Sequence, residues 1–156
     1  MVSQQQRKFI DLLYQWAANH WEDAEIVERS GILTLRMIPS LYTDIEALVL
    51  MEICLLEYSE DISVVQIYTT IFPEPKPGLE DLRAKLPEWN FNSLVGAYGI
   101  YEEQGQLYHK HNVAVITGDD PDEQVNDVLP AICMALDEMA RRLPEAIMLS
   151  EGNTDS

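Results

Sequence analysis

The stretch Leu94 to Thr117, LVGAYGIYEEQGQLYHKHNVAVIT, constrains the fold of this chain more than any other part of it. Two β-prone runs flank Glu102-Glu103-Gln104-Gly105, and a glycine closing four polar residues suits a type I turn whose last residue takes positive φ. The stretch therefore reads as a β-hairpin. Pairing Glu102 with Gln106 sets Tyr101 opposite Leu107, Gly99 opposite His109 and Ala97 opposite His111 on one side, with Ile100–Tyr108 and Tyr98–Lys110 on the other. In that register Leu94, Tyr98, Ile100, Tyr108 and Ile116 share one face. Val95, Ala97, Tyr101, Leu107, Val113 and Val115 share the other. A sheet that merely roofs a core alternates apolar and polar residues, so two partly apolar faces predict a second partner for the far side.

The rest of the chain supplies more hairpins and the helices to cover them. Ser3 and Gln6 form a capping-box pattern, and Phe9, Ile10, Leu12, Leu13, Trp16 and Ala17 follow at helical spacing, which predicts a helix over about residues 3 to 20. Ala24 to Arg29 and Ile32 to Ile38 read as strands joined at Ser30-Gly31, ended by Pro39. After a polar link through Tyr42, Thr43 and Asp44 comes ALVLMEICLLE. Its periodicity fits either a buried helix or a strand, and the turn residues Tyr58-Ser59-Glu60-Asp61 before the β-rich Ile62 to Phe72 decide for strand.

Pro73, Pro75, Pro77 and Gly78 read as a stiff crossover, because each proline fixes φ and removes a ladder donor. Leu79, Leu82 and Leu86 mark a short helix that Pro87 stops. Asp120 as N-cap and Pro121 at the first helical position open the last helix, whose stripe runs Val125, Val128, Leu129, Ile132, Leu136, Met139, Ala140 and Leu143. Pro130 bends it, Arg141 and Arg142 fill its last turn, and Pro144 ends it. The expected fold is α+β, an open antiparallel sheet of three hairpins with helices packed on one face, in the order α-ββ-ββ-α-ββ-α. It forms a single domain over 1–149, followed by a disordered tail, 150–156.

Charge narrows the function classes. The 156 residues carry 27 acidic against 10 basic side chains, a formal charge of −17. Such a field repels phosphate backbones and anionic lipid, so neither nucleic acid nor membrane is an expected partner. No run approaches the roughly 20 apolar residues of a membrane span, and the charged start MVSQQQRKFIDLL does not suit a secretion signal, which predicts a cytoplasmic protein. Cys54 and Cys133 lie in apolar settings without CxxC spacing and read as two reduced core thiols.

Candidates for chemistry are few. His109 and His111 lie two apart on a strand and point the same way, half of a metal site whose other ligands are missing from the sequence around them. Asp119, Asp120, Asp122 and Glu123 lack the alternating spacing of a calcium loop and read as helix-capping acids. No phosphate loop, nucleophile elbow or dinucleotide fingerprint occurs. The expectation is therefore no catalytic residue, no cofactor and no metal. The aromatic residues Trp89, Tyr98, Tyr101 and Tyr108 gather around the hairpin, and an anchor patch of Trp89, Tyr98, Ile100 and Tyr108 is the expected partner or dimer interface.

From Leu79 through Leu143 the chain resembles the YbjN-like family and the wider class of type III secretion chaperone-like domains. Leu82, Leu86 and Asn90 carry the resemblance, then LVGAYGIYEEQGQLYHKHNVAV, then the acidic-capped helix ending MARRL. The resemblance implies the open sheet with helices on one face, dimerisation in many members and, in the secretion chaperones, protein binding. Four strands before the middle helix match the YbjN-like pattern and depart from the secretion chaperones.

These readings lead to a non-enzymatic protein-binding adaptor or chaperone-like module, with a regulatory role within its scope and a homodimer as its expected state. Two other classes compete with it. One is a small-molecule sensor or enzyme with a pocket between helices and sheet; the other is a structural subunit that spends its apolar face on its own oligomer. Crowded carboxylates also set the response to salt: raising sodium chloride from low to moderate concentration at neutral pH should raise the melting temperature by screening their repulsion. A steady fall over that range would show the acids to be paired.

Overall fold

The computed structural model describes residues 2–41, 48–72, 77–101 and 103–152. Ser3 caps the first helix, α1 (Gln4–Ala18): its hydroxyl accepts from the Gln6 amide at 3.1 Å, and the Gln6 side chain returns the bond to the Ser3 amide. Helical spacing then places Phe9, Ile10, Leu13 and Ala17 on one buried face. Strands β1 (Glu25–Arg29) and β2 (Ile32–Met37) turn at Ser30-Gly31, both at positive φ, the two-residue geometry whose twist matches the strands it joins.

The apolar run after the polar link is strand β3 (Leu48–Glu57), paired along its length with β4 (Ile62–Phe72). Period-two alternation sends Val49, Met51, Ile53 and Leu55 into the core and Leu50, Glu52, Cys54 and Leu56 to the far side. Helix α2 (Leu79–Asn92) follows, then β5 (Ala97–Tyr101), β6 (Gln106–Ile116) and α3 (Pro121–Ser150). All strand pairs are antiparallel, in the order β1-β2-β3-β4-β6-β5. The third hairpin thus enters through β6, with β5 at the edge. All three helices cover the same face, α1 over β2 and β3, α3 against α1 and β6, and α2 over β5. This is the α+β architecture read from the sequence. Among the described residues no helix is long and apolar enough to cross a membrane.

Four details differ from the sequence reading. The third hairpin closes one residue earlier: the Tyr101 carbonyl accepts from the Gln104 and Gly105 amides, Gly105 sits at φ +65°, and Tyr101 pairs with Gln106. Strand β6 keeps its expected faces, but β5 slips by one, so Tyr98 lies opposite His109 and Gly99 opposite Tyr108. Gly99 suits that register, because a Cβ there would stand 2.4 Å from the Tyr108 ring. The expected partner of Gln106, Glu102, lies outside the described residues.

Pro87 does not stop α2, which continues to Asn92. The lost backbone donor is offset by what the extra turn delivers: Trp89, 1% exposed, and Asn90, whose amide grips both the N–H and the carbonyl of Tyr98. Nor does Pro144 end α3. The helix runs on to Ser150, burying Ala146 and Leu149, so Ser150 belongs to the fold instead of the expected tail, while residues 153–156 lie outside the described residues. The cysteines are free but neither is a core thiol: Cys54 is on the far face of β3 and Cys133 is exposed on α3. The polyproline crossover at 73–76 and the link at 42–47 lie outside the described residues.

Candidate functional site

The corner where α2, the third hairpin and α3 meet holds most of the unusual chemistry. Tyr98 and His109, paired across β5 and β6, point inward at 4% and 0% exposure, with ring centroids 4.9 Å apart and edge to face. Trp89 packs against Tyr98 in the same T-shaped manner at 5.5 Å. From α3 comes Glu138, almost completely buried, whose carboxylate accepts from the guanidinium groups of Arg141 and Arg142 at 3.2 Å each. Arg142 also lies over the Trp89 ring, 5.9 Å from its centroid. A buried carboxylate requires such partners, because an unpaired one would cost several kcal/mol.

Titration follows from this burial. Desolvation, and then the Glu138 carboxylate, push the Tyr98 hydroxyl far above its ordinary range, so it stays a neutral phenol. Burial likewise pushes the His109 imidazole below its ordinary value, against the opposing pull of the Val95 carbonyl and Glu138. Its Nε2 donates to the Val95 carbonyl at 2.8 Å, and Nδ1 has no hydrogen-bond partner among the described residues, as suits a neutral ring. His111 points to the same side, as the spacing predicts, but His109 spends one ring nitrogen on the backbone. Among the described residues no three His, Cys, Asp or Glu side chains gather as a metal site. Asp120 accepts from the Asp122 amide as the cap of α3.

Three large apolar side chains of the elements that form this corner stand in water. Phe91 and Leu94 are 89% and 90% exposed, and Met134 on α3 is 47% exposed. Leu94 and Met134 line an open cleft of about 510 Å³ with Val95, Asp137, Ala140 and Arg141. Leu94 is held out by its own backbone: the Ser93 hydroxyl accepts from the Val95 amide and donates to the Val95 carbonyl, while Val95 is buried. Gly96 at φ +64° completes the bend, with no room for a Cβ against the Lys110 carbonyl and His109.

Among the described residues no helix covers the far face of the sheet. Arg36 there bridges Glu25 and Glu52 at 3.6 Å across three strands, and the next row holds Thr34, Cys54, Gln66 and Asn112. Apolar groups lie at the two ends: Leu56, Val64, Ala114, Ile62 and Ile116 at one, Leu50 and the stacked rings of Tyr68 and Tyr108 at the other. The face is therefore mixed, less apolar than the hairpin alone suggests.

The four expected interface residues separate accordingly. Trp89 and Tyr98 are inside the core and offer a partner no surface, and Ile100 is partly buried against that core. Tyr108 alone stands on the far face. The β5 slip is the reason, since it turns Tyr98 and Ile100 inward. Sequence reasoning missed Glu138, Phe91 and the outward Leu94. A Glu followed at three and four residues by Arg141 and Arg142 was a legible signal for the first; the others had none.

This corner and this sheet define an α+β domain of six antiparallel strands, open on one face. No family model matches the chain, and no curated protein does. Among solved structures, YbjN from E. coli, described as a candidate transcription regulator, matches with a TM-score of 0.48 and 13% identity, over 87% of this chain and 92% of that one. A protein from Methanothermobacter thermautotrophicus matches with a TM-score of 0.46 and 12% identity, over 92% and 98%. A likeness of this degree says nothing of this chain's family or activity.

The depressed imidazole has a consequence for stability. The unfolded chain takes up a proton at His109 near the ordinary value of 6.5, while the folded state resists until lower pH. The unfolded state then binds more protons in that window, so stability falls as pH drops through about 6.5 toward the folded value. Denaturant unfolding at pH 7.5 and 5.5 should show this loss, and His109→Gln should reduce it. An unchanged slope in the variant would remove His109 from the account.

Proposed function

We propose that this protein is a non-enzymatic, cytoplasmic module that binds another polypeptide through the cleft lined by Leu94 and Met134. The observation that carries this reading is Leu94: a large apolar side chain almost fully in water, on a bend stiffened by Ser93 and Gly96. An exposed anchor beside a cleft, on a rigid support, needs little ordering when a partner docks. The acidic surface favours partners without strong negative charge, and any regulatory role would run through protein contact in preference to nucleic acid or membrane. Against an enzyme stands the placement of two of the perturbed groups, since Tyr98 and His109 are sealed in the core and line none of the described clefts.

The test is affinity capture from native lysate with wild type and with Leu94→Asp in parallel. A discrete partner retained by the wild type and lost by the variant, at unchanged melting temperature, supports the reading. Equal retention by both would sink it.

A second reading, a homodimer through the far sheet face, draws on the apolar groups at its two ends, the exposed Ile62 and Ile116 at one and the Tyr68–Tyr108 stack at the other. Sedimentation at micromolar concentration and moderate salt should then show a dimer that Ile116→Asp weakens. A monomer at every concentration would reject self-association and with it a structural subunit.

A further inference from the structure

On the other side of α3 from β5 lies a cavity of about 500 Å³ at the end of α1, in the size range of small-molecule sites. Its walls include Trp16, His20, Trp21, Leu136, Asp137 and Ala140. The chain turns sharply after α1, with the His20 and Trp21 amides both donating to the Ala17 carbonyl, and this folds Trp21 back beside Trp16. The two indoles meet at 80° with centroids 5.3 Å apart, making two walls of a corner. His20 supplies a third ring, 4.9 Å from Trp16 and 5.6 Å from Trp21, oriented by its Nδ1 donating to the Trp16 carbonyl at 2.8 Å.

Both indoles rest partly on the core, yet neither is sealed by it, and each borders the cavity. An aromatic corner in a cavity that the exposed Asp137 also borders suits one ligand chemistry best. The ring faces attract a cation through their quadrupoles, Asp137 adds a full negative charge, and the −17 field of the whole chain concentrates cations at the surface. A neutral apolar ligand would use the rings but gain nothing from the Asp137 charge. An anion would meet both the ring faces and the carboxylate unfavourably.

We infer that the Trp16–His20–Trp21 corner with Asp137 is a binding site for an organic ammonium group, carried by a free small molecule or by a basic side chain of a protein. The site is separate from the Leu94 anchor, although Asp137 and Ala140 border both clefts. Tetraalkylammonium recognition needs no hydrogen bond to nitrogen, so tetramethylammonium is the simplest probe.

The chain holds three tryptophans, and the third, Trp89, is buried at the far corner, so each titration carries its own control. Indole N–H resonances assigned by single Trp substitutions are followed while tetramethylammonium chloride is added at constant ionic strength. Trp16 and Trp21 should shift saturably and Trp89 should not. Tert-butanol, of similar size and no charge, should bind about tenfold more weakly, and exposed Asp137→Asn should weaken tetramethylammonium by about tenfold at unchanged melting temperature. A short capped peptide with one lysine separates the sources: tighter binding than tetramethylammonium assigns a protein side chain, weaker binding a free cation. No saturable shift with either cation, equal affinity for tert-butanol, or an unaffected Asp137→Asn variant would overturn the site.

Discussion

The pairing of β4 with β6 is the constraint on which the rest of the molecule depends. The two strands run side by side from Ile62 opposite Ile116 to Thr70 opposite Tyr108, joining segments separated by the crossover, a helix and an edge strand. Without that ladder a four-stranded sheet, β1 to β4, is left beside a detached third hairpin, which alone is too small to hold a core. With it, Val65, Ile67, Leu107 and Val115 become one continuous floor, and α3 gains a surface long enough for its buried stripe. The ladder is non-local, so its closure entropy is offset only when the helices land on the finished floor.

Several polar side chains join elements of this fold, each through a specific bond. Asn90 ties α2 to β5, His109 ties β6 to the bend at Val95, and Gln124 ties α3 to the end of β6 through the Ile116 carbonyl. The Gln6 side chain reaches from α1 to the Leu55 carbonyl. Hydrophobic burial supplies most of the driving force, but it is nearly indifferent to small slides of one layer over another. These directional bonds fix the register of helices on sheet, and the buried Glu138 with its two arginines fixes α3 at the corner.

Much of the architecture was legible because it is written in local chemistry. Ser3 and Gln6, Ser30-Gly31, and Asp120-Pro121 are signals that need no knowledge of the rest of the chain. The errors share another cause. Pro87 and Pro144 have a local meaning, helix end, that burial of Trp89 and Leu149 overrides. The β5 slip turned on whether the turn closes at Tyr101 or one residue later, a choice decided by Asn90 and by the fit of Tyr108 over Gly99. The Leu94 anchor was illegible for a plainer reason: an apolar residue before a strand looks the same whether it faces core or water. The aromatic corner was equally hidden, since Asp137 and Trp21 are over a hundred residues apart.

The two edges of the sheet are not alike. Strand β1 exposes Glu25, Glu28 and Arg29 within five residues, so a strand added there would have to strip water from charges of both signs. Strand β5 is equally short but carries no charged side chain. A sheet with one guarded edge has one place to accept a foreign strand, and two copies meeting at that edge would exhaust it. Growth into a fibre needs two open edges per molecule. The charge distribution on β1 therefore disfavours end-to-end growth of the folded sheet, because strand addition is left to the β5 edge alone.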